Sequence, residues 1–248
     1  MIEVCNNNFK EICIRLYESP STMQRHPIIG KPMLDISNAK FEQVIRDELK
    51  MKSIVPYEVA VRVDIQYGTD KQLYIVDVAK AILDGLNRYA YIDDNLVKAF
   101  TVSKYPKGGD IRLLISTFND NSDYQELSIP VNPVAKQEPH PQLYLGREIK
   151  NELLYSQLEK TSKRILQECN YRLPRDTLVS LKINVFSKHI RADIDNIAKY
   201  YVEALILAGV IEKTNICHIT SEIYQDDEEG VMIQICESLN DLKSSKIK

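Results

Sequence analysis

The chain has 248 residues, 44% hydrophobic and 27% charged, the make-up of an ordinary globular protein with one large or two small domains. Its net charge of −3 is neutral over residues 1–120 (16 basic, 16 acidic) and −3 over 121–248 (16 basic, 19 acidic), so any nucleic-acid contact must come from local patches and not from a basic field. The five cysteines (Cys5, Cys13, Cys169, Cys217, Cys236) are odd in number with no C-x-x-C pair, which argues against structural zinc and a disulfide framework and for a reducing cytoplasm; neither a membrane-length apolar run nor a signal-peptide pattern is present.

In chain order, residues 9–16 are β-rich, and 18–38 form a polar, proline-containing loop with Arg25, His26 and Lys31. Phe41, Val44, Ile45 and Leu49 predict a helix over 39–50. Alternation of Val61, Val63, Ile65 and Tyr67 predicts a strand over 59–67. A helix is expected over 77–87, with Val78, Ile82, Leu86 and Tyr89 on one stripe. The segment Tyr91-Ile92-Asp93-Asp94-Asn95 then leads into strands over 96–103 and 111–116, and 119–123 has linker composition.

After the linker the same order returns. A strand over 124–131, a proline-rich loop over 132–147 with His140 and Arg147, and a helix over 149–168 precede a strand over 178–186. A helix over 197–208, a turn at Gly209, and strands over 216–223 and 231–236 complete the series. Laying residue 195 over residue 76, an offset of 195 − 76 = 119, pairs Ala198 with Ala79, Lys199 with Lys80, Leu205 with Leu86, and Ile211 with Ile92. Glu203 then meets Asp84, and Glu212 meets Asp93. Identities are few, so element order and helix phase carry the repeat. The expected fold class is α/β: a mixed α+β sheet with helices, internally duplicated about a pseudo-twofold axis. Its two halves are 1–118 and 124–248.

The stretch with most chemistry is Arg191-Ala192-Asp193-Ile194-Asp195-Asn196-Ile197-Ala198-Lys199. On an extended segment, Asp193 and Asp195 would point the same way, and Asp195 or Asn196 suits the following helix's N-cap. Convergent carboxylates with a lysine one turn on suit a divalent cation and a phosphate. A well-capped polar β–α turn is the plainer alternative.

These residues resemble the RusA-like Holliday-junction resolvase family, many members of which carry a D-x-D-N-l-x-K-x-x-x-D-x-L helix opening followed by a-Y-x-D-D-s/n-x-V. Asp193 to Lys199, with Glu203 and Leu205, match the first part; Lys80 to Asn87 and Ala90 to Val97 match the second. The resemblance implies two tandem RusA-like halves in one chain, a pseudodimer with further self-association left open. It also implies Mg²⁺-dependent hydrolysis of phosphodiesters in branched or junction DNA, with Mn²⁺ able to substitute, and roles in recombination and repair. The halves depart from the pattern in complementary ways. In the first, the D-x-D positions are Tyr74 and Val76; in the second, the Asp-Asp position reads Glu212-Lys213, or Lys213-Thr214 if the turn is one residue longer.

Three arrangements follow. One site could lie within the second half, with Asp193, Asp195 and Glu212 as catalytic carboxylates and Lys199 near the scissile phosphate. A composite site could join Asp193 and Asp195 to Asp94, with Asp93 beside it as a further metal ligand. In the third, both sites are broken and the protein binds DNA or a partner without cutting. Lys80, Lys199, Arg191, Arg25, Lys31 and Arg147 are the expected DNA contacts; a solvated helix lysine is the alternative for Lys199, and exposed polar loops are the plainer reading for Arg25, Lys31 and Arg147. His189 could touch phosphate, His218 reads as structural, and Asp226 to Glu229 as a solvated turn.

Overall fold

The computed structural model describes residues 11–16, 43–47, 58–66, 74–105, 111–118, 124–129, 152–169, 173, 177–188 and 193–237. The expected loops at 18–38 and 132–147 and the linker at 119–123 lie outside them. Eight strands form one mixed sheet: β1 (Glu11–Leu16), β2 (Val59–Gln66), β3 (Val97–Tyr105), β4 (Ile111–Thr117), β5 (Tyr124–Ile129), β6 (Val179–Ser187), β7 (Ile216–Gln225) and β8 (Gly230–Glu237). Their order across the sheet is β1-β8-β6-β7-β3-β2-β4-β5. Helices α1 (Ile75–Leu86), α2 (Glu152–Glu168) and α3 (Ile194–Leu207) are joined by a helical stretch at 43–47.

The pairing is the same on both sides of the centre. β2 runs parallel to β3 and antiparallel to β4, and β6 runs parallel to β7 and antiparallel to β8. Parallel neighbours need a long crossover, and here α1 joins β2 to β3 while α3 joins β6 to β7. Each parallel ladder slips once, so that Lys98 on β3 and Cys217 on β7 stand unmatched; they are 217 − 98 = 119 residues apart. β3 and β7 meet antiparallel at the centre, Thr101 opposite Thr220, and these hydroxyls lie 3.2 Å apart across a sequence separation of 119. The edges are exchanged. β1 pairs with β8, and β5 pairs with β4, so the sequence halves interlock within one continuous sheet.

Alternation along the strands creates the core. Val59, Val61, Phe100, Val102, Leu181, Ile183, Ile219 and Ile233 are buried with α1 and α3 in a single cluster, each worth roughly 1.5–3 kcal/mol by burial. The alternate positions Thr101, His218 and Thr220 are only partly buried, and there the His218 ring nitrogens hydrogen-bond Ser103 Oγ at 2.8 Å and Thr220 Oγ1 at 3.1 Å. Gly85 allows Ile45 to press on α1: a Cβ there would stand 3.1 Å from Ile45 Cδ1. α2 rests on α3 through Ile165 and a 2.9 Å hydrogen bond between Thr161 Oγ1 and Tyr200 Oη.

Three expectations are corrected. The two crossover helices begin earlier than expected, at Ile75 and Ile194, because both isoleucines are buried to 1% or less and the helical phase that buries them extends backwards. Asp193 is therefore the N-cap of α3, without a side-chain capping bond, and Asp195 lies in its first turn; the two are not alternate residues of a strand. Tyr89, expected on the helix stripe, is 37% exposed, since α1 ends at Leu86 and Tyr89 follows it in a turn. Among the described residues no helix is long and apolar enough to cross a membrane.

Candidate functional site

The N-terminal turns of α1 and α3 lie against each other, tied by two crossed ion pairs. Lys80 Nζ on α1 donates to Asp195 Oδ2 on α3 at 2.9 Å, and Lys199 Nζ on α3 donates to Asp77 Oδ1 on α1 at 2.9 Å. Lys80 and Lys199 occupy equivalent helical positions, so each reaches into the opposite helix's first turn. Two polar clusters result, one at either side of the helix pair.

The first cluster draws on both halves. Asp193 and Asp195 come from the start of α3. Lys80 and Asp84 stand one turn apart on α1, 3.8 Å between Nζ and Oδ1, and Asp94 comes from the short 3-10 turn Asp94–Leu96 before β3. Asp93 caps that turn, its Oδ1 accepting from the Asn95 N–H at 3.0 Å. Beneath them the fully buried Tyr91 donates its hydroxyl to the Leu83 carbonyl at 2.8 Å; burial, then the charges of Asp94, Asp195 and Asp84, push this phenol well up.

The electrostatics follow from crowding like charges in a partly desolvated place. Burial, then the charges of Asp84, Asp195 and Asp193, hold the Asp94 carboxyl up to about 7 despite Lys80. Burial and Asp195 likewise raise Asp193, although Lys80 and a 3.1 Å hydrogen bond from Asn196 Nδ2 oppose this. Burial alone would lower Lys80; Asp195 and Asp84 more than reverse it and keep the ammonium charged. Asp94 Oδ1 is buried without a hydrogen-bond partner, which ordinarily costs of order 1–3 kcal/mol.

The second cluster occupies the equivalent place with different chemistry. Tyr74 stands where the first cluster has Asp193, Val76 where it has Asp195, Glu203 where it has Asp84, and Lys213 where it has Asp94. Tyr74 Oη donates to Glu203 Oε1 at 3.1 Å, Lys213 Nζ approaches the same oxygen at 3.3 Å, and that ammonium also lies 4.8 Å from the Tyr74 ring centroid. Burial, then Glu203, raise Tyr74 well above its usual range. Burial also raises Asp77, although its Lys199 partner opposes the shift.

Of the sequence candidates, Asp193, Asp195 and Asp94 are thus in one cluster, with Asp93 at its rim. Lys199 belongs to the other cluster, its side chain 6% exposed against Asp77. Glu212 is the residue before the short turn Lys213–Asn215, whose Lys213 binds Glu203. Lys80 is held among carboxylates. Arg191, Arg25, Lys31, Arg147, His189, His26 and His140 lie outside the described residues. Asp226 to Glu229 form a turn exposed but for the partly buried Glu229, closed by Glu228 N–H on Asp226 Oδ1 at 3.0 Å. Sequence reasoning left Asp84 out of the site; its signal was the Lys80–Asp84 spacing on one helical face.

The first cluster has the donor chemistry for a hard divalent cation: four carboxylates, one with an orphaned oxygen. As the side chains stand, no three acidic, histidine or cysteine groups among the described residues close on a common point, and Lys80 is the cation between them. Compared with models of known protein families and with curated proteins, the chain matches none.

Proposed function

We propose that this chain is a fused pair of RusA-like halves acting as a metal-dependent endonuclease on branched DNA, with one composite site built from Asp193 and Asp195 of the second half and Asp94 and Asp84 of the first. The observation that carries it is the meeting of Asp94 with Asp193 and Asp195: the acidic pieces that survive in different halves stand together around Lys80. The common bulge at Lys98 and Cys217, the exchanged edge strands, and the Thr101–Thr220 pairing at the alignment offset support the duplication.

In this reading Asp195, Asp193 and Asp94 would hold Mg²⁺ or Mn²⁺, and Asp84 would steady Lys80. A bound divalent cation supplies an activated water and neutralises charge developing on the phosphate. Lys80, released from Asp195, would meet a non-bridging phosphate oxygen. Tyr91 walls the site from below and its hydroxyl fixes the end of α1 through Leu83, which holds Asp84 and Asp94 in register.

A second reading, a protein that binds DNA or another partner without cutting, is favoured by one observation. The 2.9 Å Lys80–Asp195 bridge occupies an oxygen that a metal would need. The purified chain, given a synthetic four-way junction and Mg²⁺, separates the two. Cutting by the wild type, lost in Asp195→Asn with binding retained, supports the nuclease. Binding without cutting in either Mg²⁺ or Mn²⁺ leaves the second reading, and failure to bind at all removes both.

A further inference from the structure

A patch of positive charge outside both clusters lies on α2. Gln157, Lys160, Lys163, Arg164 and Gln167 line a groove of about 450 Å³, at whose base stand the buried Thr161 and, from α3, the buried Tyr200. The groove thus follows the seam where α2 rests on α3. Lys160, Lys163 and Arg164 are exposed, and their spacing of i, i+3 and i+4 sets like charges side by side on one helix face, which destabilises a helix. A face that is merely solvated mixes its signs. Here Glu159 stands four residues before Lys163, the order that favours a bridge, yet among the described residues neither Lys160 nor Lys163 has an ion pair. Lys80 and Lys199, by contrast, each donate to a carboxylate at 2.9 Å. Uncompensated positive charge therefore stands on α2, in a chain whose net charge is −3.

On α3, Lys199 reaches α1 and Tyr200 reaches Thr161 of α2, so α3 lies between the other two helices. Asp195 is in its first turn, and Tyr200 follows by 200 − 195 = 5 residues, about 7.5 Å along the axis. The acidic cluster and the groove are thus served by successive turns of one helix. From Gln157 to Gln167 the groove follows 167 − 157 = 10 residues, about 15 Å of α2. Along that length one strand of a duplex carries roughly four phosphates, one per 3.4 Å of axis. Resting on the branched-DNA reading above, we infer that this groove is a phosphate-binding track: Lys160, Lys163 and Arg164 hold the sugar–phosphate backbone of one arm of the substrate. The side-chain amides of Gln157 and Gln167 donate at either end. Such contacts are to charge and not to base edges, so they position the DNA without reading its sequence.

The test is binding in EDTA, with no cutting required. Fluorescence anisotropy of a labelled four-way junction, titrated with the full chain at several salt concentrations, gives the slope of log K against log[salt]. Each neutralised phosphate contributes about 0.9 to that slope. Lys160→Gln with Lys163→Gln should lower its magnitude by about 1.8 and weaken binding at least tenfold near 0.1 M salt, while Lys160→Arg with Lys163→Arg keeps both. The glutamine pair should melt no lower than the wild type, since it separates like charges, so its loss of binding is not a loss of fold. Lys182→Gln with Lys188→Gln makes the same charge change on and just after β6, and should move the slope by less than about 0.5. An unchanged slope in the α2 pair, or an equal loss in the β6 pair, overturns the inference while the branched-DNA reading stands. Labelled polyglutamate bound as tightly as the junction, and lost in the same α2 pair, would make the partner an acidic protein and overturn it as well. A wild-type chain that binds no junction removes the branched-DNA reading and this inference with it.

Discussion

Lys80 Nζ and Asp195 Oδ2 lie 2.9 Å apart across the helix pair, and this bridge binds the first half of the chain to the acidic turn of the second. Asp195 is 9% exposed in its side chain and Lys80 25%, so neither ion is fully hydrated. Removing one partner of such a pair leaves the other's charge stranded, commonly at about 3–5 kcal/mol. Lys80→Met strands Asp195 among Asp84, Asp94 and Asp193, whereas Lys199→Met leaves Asp77 with the Lys213 ammonium still near it. Both variants should melt below the wild type in EDTA, Lys80→Met the more so above neutral pH. Millimolar Mg²⁺ should then recover most of the loss in Lys80→Met and little in Lys199→Met. Equal responses to Mg²⁺ in a thermal melt would show that the cation does not enter the Lys80 cluster.

Asp94 gives a pH dependence of definite sign. Its folded-state value of about 7 lies above the ordinary 3.8, so between those values the folded protein binds more protons than the unfolded chain. Stability must fall as pH rises through that window and level off above it. Asp94→Asn carries no charge to repel Asp84 or Asp193. It should match the wild type near pH 4 and exceed it by about 2 kcal/mol at pH 8, the shift being discounted for the part of the side chain that solvent screens. Urea unfolding in EDTA at the two pH values measures this; a wild type that is equally stable at both would contradict it.

Element order, both crossover helices and the central acidic stretch were legible because they rest on local patterns: periodicity in α1 and α3, alternation in β2, and the Asp193-Ile194-Asp195-Asn196 run. The exchange of β1 and β5 between the halves was not, since nothing in a strand's own residues says which edge it joins. Nor was the pairing of Lys80 with Asp195. Reading the second half as a site of its own put Lys199 near a phosphate held by Asp193, Asp195 and Glu212, whereas helix packing sends each lysine across to the other helix. The helix starts were misjudged because a turn rich in Asp and Asn looks like a cap, while burial of Ile75 and Ile194 carries the helix further back.

The two crossover helices end differently, and only one end was readable. After α3, Gly209 has φ of 69°, the left-handed conformation that glycine adopts freely. After α1, Arg88 has φ of 65°, and an L-residue with a Cβ pays roughly 1–2 kcal/mol there. Arg88 is exposed, and its N–H donates to the Tyr91 carbonyl at 2.8 Å, a backbone bond that glycine keeps. Arg88→Gly should therefore be stabilising by about 1 kcal/mol, a rise of roughly 2–4 °C in Tm for a chain of this size. A lower Tm would mean that the arginine side chain contributes more than its backbone conformation costs.

The composite arrangement and the single-half arrangement predict opposite sensitivities. If the working set were Asp193, Asp195 and Glu212, then Glu212→Gln should abolish cutting and Asp94→Asn should be harmless. Asp94 instead feels the charges of Asp195 and Asp193, while Glu212 is exposed and stands beside the turn whose Lys213 neutralises Glu203. The expected result is that Asp94→Asn and Asp195→Asn each lower the cutting rate by at least a hundredfold, about 2.7 kcal/mol of transition-state stabilisation at 1.36 kcal/mol per tenfold. Glu212→Gln should stay within about threefold of the wild type. Because Asp94→Asn is expected to raise stability, its loss of activity cannot be put down to unfolding. The double variant should cut no more slowly than either single one, since groups that hold one metal act as a unit; additive losses would place Asp94 outside the site.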